Sequence, residues 1–269
     1  MSLPEARTNH SSVICGDKIY VIGGYDENWT VRNSVFIGQI EQDGSINKWT
    51  HTIPLPKAMY KHLSVIAGEK IYVFGGYDSE KKAVSSVYYT TVNPSTEHIG
   101  IWRPTTPFVY GREYTGIITG GKIYAVCGNL AYYSNINPDS TVGGWSKGGR
   151  PLIGGLAGHT ALRYGDNIYV FGGYSSEGVS NKVYAVNTGV DEFTKFRSLA
   201  LPEIWDEIWR EQFQCPLPEP RYNHTTVLYG NKVYIIGGIV RGEFADTVYS
   251  IDFPLLSRWK LAGKLPLQP

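Results

Sequence analysis

The chain is poor in cysteine, and its three cysteines do not form a pattern. Cys15, Cys127 and Cys215 lie far apart among 269 residues. An odd, scattered set of this kind is not typical of a disulfide framework or a cysteine-based metal site. We therefore expect a reducing compartment and no bound metal or cofactor.

No charge of one sign dominates, and long hydrophobic runs are missing. The formal net charge is +1, and no cluster of Lys and Arg interleaves with aromatic residues, so we expect no nucleic-acid partner. No apolar stretch is long enough to span a bilayer, and the first residues lack the hydrophobic region of a secretory signal. We expect a soluble, cytoplasmic protein without a membrane partner.

Familiar catalytic motifs are also missing from the sequence. It contains no Gly-X-Ser-X-Gly, no His-Glu-X-X-His and no phosphate-binding glycine loop. The short sequence Lys18-Ile-Tyr-Val-Ile-Gly-Gly24, in contrast, occurs five times with small changes. The other copies end at Gly76, Gly128, Gly173 and Gly238. A period near 50 residues predicts a propeller or a solenoid.

Each repeat carries further features in a fixed order. A His usually opens the first apolar strand, Gly-Gly ends the second, a hydrophobic-Tyr pair follows, and a Trp stands near the end of four repeats. Strand-like runs separated by turn residues predict a four-stranded antiparallel unit. The opening residues are His10, His62, Tyr114, His159 and His224, and the tryptophans are Trp49, Trp102, Trp145 and Trp259.

This order of strand, Gly-Gly, hydrophobic-Tyr and Trp resembles the kelch-repeat family over nearly the whole chain. The resemblance implies an all-β, kelch-type β-propeller, here with five four-stranded blades, in a single domain over residues 1–269. More blades are usual in the family, and how the ring closes stays open. The expected blades lie at about 3–52, 53–104, 105–149, 150–200 and 216–266.

One segment departs from the repeat, between the fourth and fifth copies. In residues 201–215, Trp205 and Trp209 are four residues apart, as are several other apolar residues, while charged residues occupy the remaining positions. The pattern predicts a short amphipathic helix. It is either a structural plug on the rim of the propeller or a lid or docking surface that carries Trp205 and Trp209.

If the strands of a blade are called a to d from the axis outward, the b-c and d-a connections emerge on one face. Loops on a rigid scaffold are where binding residues tend to lie. We expect the ligand-binding residues among the polar and aromatic side chains of these loops. The candidates are Arg7, Tyr25, Asp26, Trp29, Tyr60, Tyr77, Asp78, Arg112, Glu113, Tyr174, Arg221 and Tyr222.

Two hypotheses for function follow. In the first, the protein is a non-catalytic binding module that recognises a peptide, a protein or a small polar ligand on this face. Peptide-binding kelch domains have Arg and Tyr in equivalent loops. In the second, it is a small enzyme that acts on a sugar or related metabolite, similar to kelch-type sugar epimerases, with Glu113, Asp26, Asp78 and Arg112 as candidates for proton transfer. The four histidines are interpreted as structural.

Overall fold

A computed structural model gives the fold of most of the chain. It describes residues 4–5, 7, 9–26, 28–41, 46–93, 96, 98–108, 115–119, 121–127, 130–147, 156–165, 167–187, 210–211, 216–236, 238–245, 247–252 and 260–264. In these ranges no helix is long and apolar enough to cross a membrane.

Five antiparallel sheets of four strands follow one another along the chain. In the first three sheets the strand order is the sequence order. The first sheet contains β1 (Ser11–Cys15), β2 (Lys18–Ile22), β3 (Val35–Ile40) and β4 (Ile46–His51). The second contains β5 (Leu63–Ala67), β6 (Lys70–Phe74), β7 (Val87–Thr91) and β8 (Arg103–Thr105). The third contains β9 (Thr115–Thr119), β10 (Lys122–Cys127), β11 (Leu130–Asn135) and β12 (Ser146–Lys147).

The fourth and fifth sheets each carry a small extra hairpin after their second strand. The fourth sheet contains β13 (Thr160–Tyr164), β14 (Asn167–Phe171), β17 (Val183–Asn187) and β18 (Arg210–Glu211), with the hairpin β15 (Tyr174–Ser175) and β16 (Gly178–Val179). The fifth contains β19 (Thr225–Tyr229), β20 (Lys232–Ile236), β23 (Thr247–Asp252) and β24 (Lys260–Lys264), with the hairpin β21 (Ile239–Val240) and β22 (Glu243–Phe244). The predicted fold class, with its five four-stranded blades, is confirmed.

The described chain forms two compact units. The first comprises residues 1–125 and 132–146, and the second comprises residues 126–131 and 147–269. The single domain expected over residues 1–269 stays a prediction.

The repeated aromatic residues lie in the cores of the units. Tyr20 and Tyr72, from the Ile-Tyr-Val core of the first two repeats, are almost fully buried, and burial raises the pKa of each phenol to about 12. Trp102 is buried as well, and its indole nitrogen donates a hydrogen bond to the carbonyl of Ile53 at 3.0 Å. Rings that fill the space between sheets in this way are structural.

The structure corrects the prediction for the segment between the fourth and fifth repeats. Arg210–Glu211 forms a strand, β18, that pairs with Tyr184 and Ala185 of β17. A helix over 201–215 is therefore wrong at these two residues. The open hydrogen-bonding edge of β17 outweighs the local helical pattern, because unpaired backbone groups are costly to bury. The rest of that segment, with Trp205 and Trp209, lies outside the described residues.

The same pairing shows which strands the extra residues connect. Residues 188–209 follow the third strand of the fourth sheet, β17, and precede its fourth strand, β18. β17 ends at Asn187, which pairs with Asn167. The b-c connection of this sheet begins after Phe171, at the opposite end of β14. The role of Trp205 and Trp209 as a lid or docking surface stays a prediction.

Candidate functional site

The first unit presents a face made of three connections: residues 23–34 between β2 and β3, residues 52–62 between β4 and β5, and residues 75–86 between β6 and β7. We call it the loop face. Six of the predicted binding residues lie in these connections: Tyr25, Asp26, Trp29, Tyr60, Tyr77 and Asp78.

Asp26 organises the first of these connections. One carboxylate oxygen accepts hydrogen bonds from the backbone nitrogens of Asn28 at 2.9 Å and Thr30 at 2.8 Å. The other oxygen accepts from Nε of Arg32 at 2.7 Å. A short polar side chain that binds backbone N–H groups two and four residues ahead closes a tight turn. Asp26 is therefore a loop anchor.

Asp78 does the same in the third connection. Its carboxylate accepts from the backbone nitrogens of Glu80 at 3.0 Å and Lys82 at 2.9 Å. The cation comes from a different place, because Lys57 of the 52–62 connection donates to Asp78 at 2.8 Å. The two loops thus share one turn geometry and differ in the source of the positive charge.

Both anchors are poor candidates for acid–base chemistry. The pKa of Asp26 is lowered, chiefly by the hydrogen bond from the backbone of Thr30, and that of Asp78 chiefly by the hydrogen bond from Lys57. A carboxylate whose charged form is stabilised in this way is ionised at neutral pH and is a weak base. Neither residue fits the proton-transfer role that we considered for them.

The turns also place two bulky residues in the left-handed region. Trp29 has φ of 56° and Lys81 has φ of 60°. The backbone nitrogen of Trp29 donates to the carbonyl of Asp26 at 3.1 Å, and that of Lys81 donates to the carbonyl of Asp78 at 3.0 Å. Sequence reasoning missed Lys81, although aligning the two Asp-X-X turns places it at the position of Trp29.

Four predicted aromatic residues come together on the loop face. The ring centroids of Trp29 and Tyr25 are 5.7 Å apart, those of Tyr25 and Tyr60 are 4.4 Å apart, and those of Tyr60 and Tyr77 are 5.7 Å apart. We call Trp29, Tyr25, Tyr60 and Tyr77 the aromatic row. It ends at Trp29, which is 68% exposed.

Backbone pairing holds the aromatic row together. The amide nitrogen of each of Tyr60 and Tyr77 donates to the carbonyl of the other at 2.9 Å. A side-chain hydrogen bond with Tyr25 is the main cause that raises the pKa of Tyr60. Rings tied to the scaffold in this way lose little freedom when a ligand binds.

The second unit has a smaller counterpart. Tyr174 and Tyr222 meet in a T-shaped contact with their centroids 5.0 Å apart, and Tyr174 is 42% exposed. Tyr174 also pairs through its backbone with Ala157, and Tyr222 with Ile239. A residue of a d-a connection and a residue of a b-c connection therefore contact each other here, as they do in the first unit.

Two of the three arginines predicted as binding residues, Arg7 and Arg221, lie in the described part of the chain, and their side chains point inward. Arg7 has a fully buried side chain that donates to Ser34 and pairs with Glu5, and its guanidinium lies 5.2 Å from the centroid of Phe36. These contacts stabilise the entry to the first sheet, and they leave the guanidinium turned away from solvent.

Arg221 repeats this arrangement in the fifth sheet. Its buried guanidinium contacts Thr247 and Glu219 and lies 5.0 Å from the centroid of Tyr249. Burial lowers its pKa, although not enough to discharge an arginine. Arg112 and Glu113, the remaining pair of this prediction, lie outside the described residues.

The repeated histidines lie at the start of the inner strands, where His62, His159 and His224 are buried and His10 is half-buried. Burial lowers the pKa of His62 and His224 to about 3 and that of His10 and His159 to about 4. Nδ1 of His159 donates to the carbonyl of Leu156 at 3.2 Å, and Nε2 of His224 lies 2.9 Å from the hydroxyl of Thr160. Within the described ranges, no group of three or more potential ligands is placed to hold a metal ion.

Comparison with known proteins agrees with this architecture. The model of the kelch motif matches residues 6–37, 59–89, 155–200 and 220–262, together more than half of the chain. The solved structure of YjhT is similar with a TM-score of 0.63 at 15% identity, and the match covers 96% of this chain and 84% of that one. At such identity the likeness shows the fold alone.

Curated relatives match over almost the full chain. Kelch-like protein 23 of Mus musculus is 27% identical over 98% of this chain, and beta-scruin of Limulus polyphemus is 25% identical over 94% of it. These matches cover 43% and 27% of the two relatives, so the chain spans less than half of their length. The sequence repeats, the five four-stranded sheets and the match to the kelch motif together show that this chain belongs to the kelch-repeat family of β-propellers.

Proposed function

We propose that this protein is a binding module that recognises a segment of another protein on the loop face of the first unit. The observation that carries the proposal is the aromatic row, in which rings from three connections are in contact and end at the exposed Trp29. Tyr and Trp anchors of this kind dominate the binding energy of many protein interfaces.

The local structure favours a protein ligand over a small polar one. The row offers the exposed indole of Trp29 and the half-buried rings of Tyr25 and Tyr77, which pack against the buried Tyr60. Indole and phenol rings provide both apolar area and hydrogen-bonding groups to an extended chain. Truncation of a central aromatic anchor commonly costs about 2 kcal/mol, or roughly thirtyfold in affinity. We assign Asp26 and Asp78 to holding the loops that present these rings.

The other candidate residues fit this proposal in different ways. Tyr174 and Tyr222 form a second aromatic pair in their own unit, which we propose as an additional contact for a protein ligand. Arg7 and Arg221 support the connections from inside. Arg112 and Glu113 remain predicted contact residues, and a cytoplasmic location remains a prediction.

A selection from a displayed library of random peptides tests the proposal. The wild-type protein is expected to enrich peptides that no longer bind Trp29→Ala. The matched control is Ile101→Ala, which removes another apolar side chain that is 73% exposed but lies outside the loop face. Peptides that bind all three proteins equally, or no enrichment on the wild type, would contradict a binding site on the aromatic row.

A further inference from the structure

The two Asp-anchored turns of the loop face present different chemistry at one and the same position. The carbonyl of Asp26 accepts from the backbone of Trp29, and the carbonyl of Asp78 accepts from the backbone of Lys81, at 3.1 Å and 3.0 Å. Both residues have nearly the same φ, and both side chains are exposed. The turns therefore hold an indole and an ammonium group in equivalent ways.

This conformation is unfavourable for the residues that adopt it. A left-handed backbone costs a residue with a Cβ on the order of 1 kcal/mol, and bulky side chains adopt it rarely. The same turn between Asn137 and Thr141 has Ser140 at this position with φ of 70°, and there the carbonyl of Ser140 accepts a hydrogen bond from the buried Tyr72. Trp29 and Lys81, in contrast, extend side chains into solvent.

The charges around Lys81 distinguish it from its neighbours. Lys82 pairs with Glu80 at 2.6 Å, Lys57 with Asp78 at 2.8 Å, and Arg32 with Asp26. Among the described residues, Lys81 has no ion pair. Its charge acts on Tyr60 in the middle of the aromatic row, together with that of Lys61. The row thus has positive charge beside it from Lys61 and Lys81, whereas Lys57, Lys82 and Arg32 are paired with carboxylates.

We infer that Trp29 and Lys81 determine the specificity of the loop face, which binds a protein segment that carries an apolar side chain close to an aspartate or glutamate. Trp29 packs on the apolar side chain, and the Lys81 ammonium faces the carboxylate. Charge complementarity selects the partner, and a charge at the edge of an interface chiefly affects association and the rejection of wrong partners. The inference rests on the proposed function and adds the chemistry of the partner.

A charge-reversal selection tests the inference. The random-peptide library is selected in parallel on the wild type, on Lys81→Glu and on Lys82→Glu. Lys82 is the matched control, since it is the next residue, is also exposed and already has an acidic partner. We expect wild-type binders to be enriched in Asp or Glu near an apolar residue, and to bind Lys81→Glu about tenfold or more weakly. Selection on Lys81→Glu itself should replace the acidic residue with Lys or Arg.

The outcomes separate this inference from the proposed function. If binders depend on Trp29 but show no acidic preference, or respond alike to Lys81→Glu and Lys82→Glu, the role of Lys81 is overturned while the binding module stands. If the wild type enriches no peptide that depends on Trp29, both are overturned. A preference that reverses with Lys81→Glu alone supports the inference. Circular dichroism of each variant confirms that it is folded.

Discussion

The imidazole of His62 lies against Gly23, the first glycine after the second strand of the neighbouring sheet. A methyl group on Gly23 would lie 2.8 Å from Cε1 of His62 and 2.8 Å from the carbonyl oxygen of Met59. Gly172 and His224 repeat the relationship in the second unit, where the corresponding distance is 2.9 Å. In these two pairs of successive repeats, the His of one repeat and the first Gly of the preceding Gly-Gly therefore form a packing contact between adjacent sheets.

Gly23→Ala should destabilise the protein strongly. Gly23 has φ of 58°, so alanine adds backbone strain to the clash with His62 and Met59, and we expect a loss of roughly 3 kcal/mol or more in the free energy of unfolding. Gly16→Ala is the matched control, because Gly16 has φ of 60° but nothing within 4 Å of the new methyl group. It should cost about 1 to 2 kcal/mol. Urea unfolding measures both, and equal losses would show that the contact with His62 is unimportant.

His62→Gln should weaken the acid sensitivity of the protein. Burial lowers the pKa of His62 in the folded state to about 3, from 6.5. Below pH 6.5 the unfolded chain binds a proton that the folded protein excludes, so stability falls as the pH falls towards the folded pKa, by up to about 1.4 kcal/mol per pH unit for one histidine. Urea unfolding between pH 7 and 4.5 should show a smaller slope for His62→Gln. His98→Gln, at an exposed histidine, should leave the slope unchanged.

Asp26→Asn should lower stability at neutral pH by removing the ion pair with Arg32. Because contacts with Thr30 and Arg32 lower the pKa of Asp26 from 3.8, its contribution is complete well above that value and is lost as the pH falls through the folded pKa. The difference in unfolding midpoint between wild type and variant should therefore be constant from pH 8 to 5 and narrow below that range. Glu80→Gln, at an exposed carboxylate, is the control and should change the midpoint little.

Thr160→Val should show how much a partly buried polar network in the second unit contributes to stability. The Thr160 hydroxyl contacts both Nε2 of His224 and the hydroxyl of Thr226. Valine has the same shape but leaves those groups without their partner, which costs about 1 to 3 kcal/mol. Thr225→Val makes the same change at a neighbouring strand residue for which no such contact is described. If thermal unfolding shows equal shifts for the two variants, the network contributes nothing specific.

Much of the fold could be predicted, because the information is local in the sequence. The segment from Lys18 to Gly24 is a short continuous apolar run that stops at Gly-Gly, and recognising that pattern requires no knowledge of distant contacts. Four members of the predicted binding face, Tyr25, Trp29, Tyr60 and Tyr77, also lie together as expected, since equivalent loops of successive repeats emerge side by side.

Other features depend on distant partners and were not predictable. Arg7 and Arg221 belong to loops that we expected to be solvated, yet Ser34 and Thr247, respectively, bind them in the interior. Residues 210–211 fit a helical pattern, yet the free edge of β17 makes them a strand. The cation that each Asp turn uses also differs, with Arg32 supplied from within one loop and Lys57 from a separate connection.

The sequence by itself determined that this protein consists of repeated four-stranded sheets and where each b-c connection begins, because strand period and turn residues act over a few neighbouring positions. Only the tertiary structure decided which loop residues are anchors and which face solvent. Asp26 and Trp29 are three residues apart, yet one is buried among hydrogen-bond donors and the other is exposed. That difference arises because a turn directs successive side chains to opposite sides, and the surrounding chain determines which side is the interior.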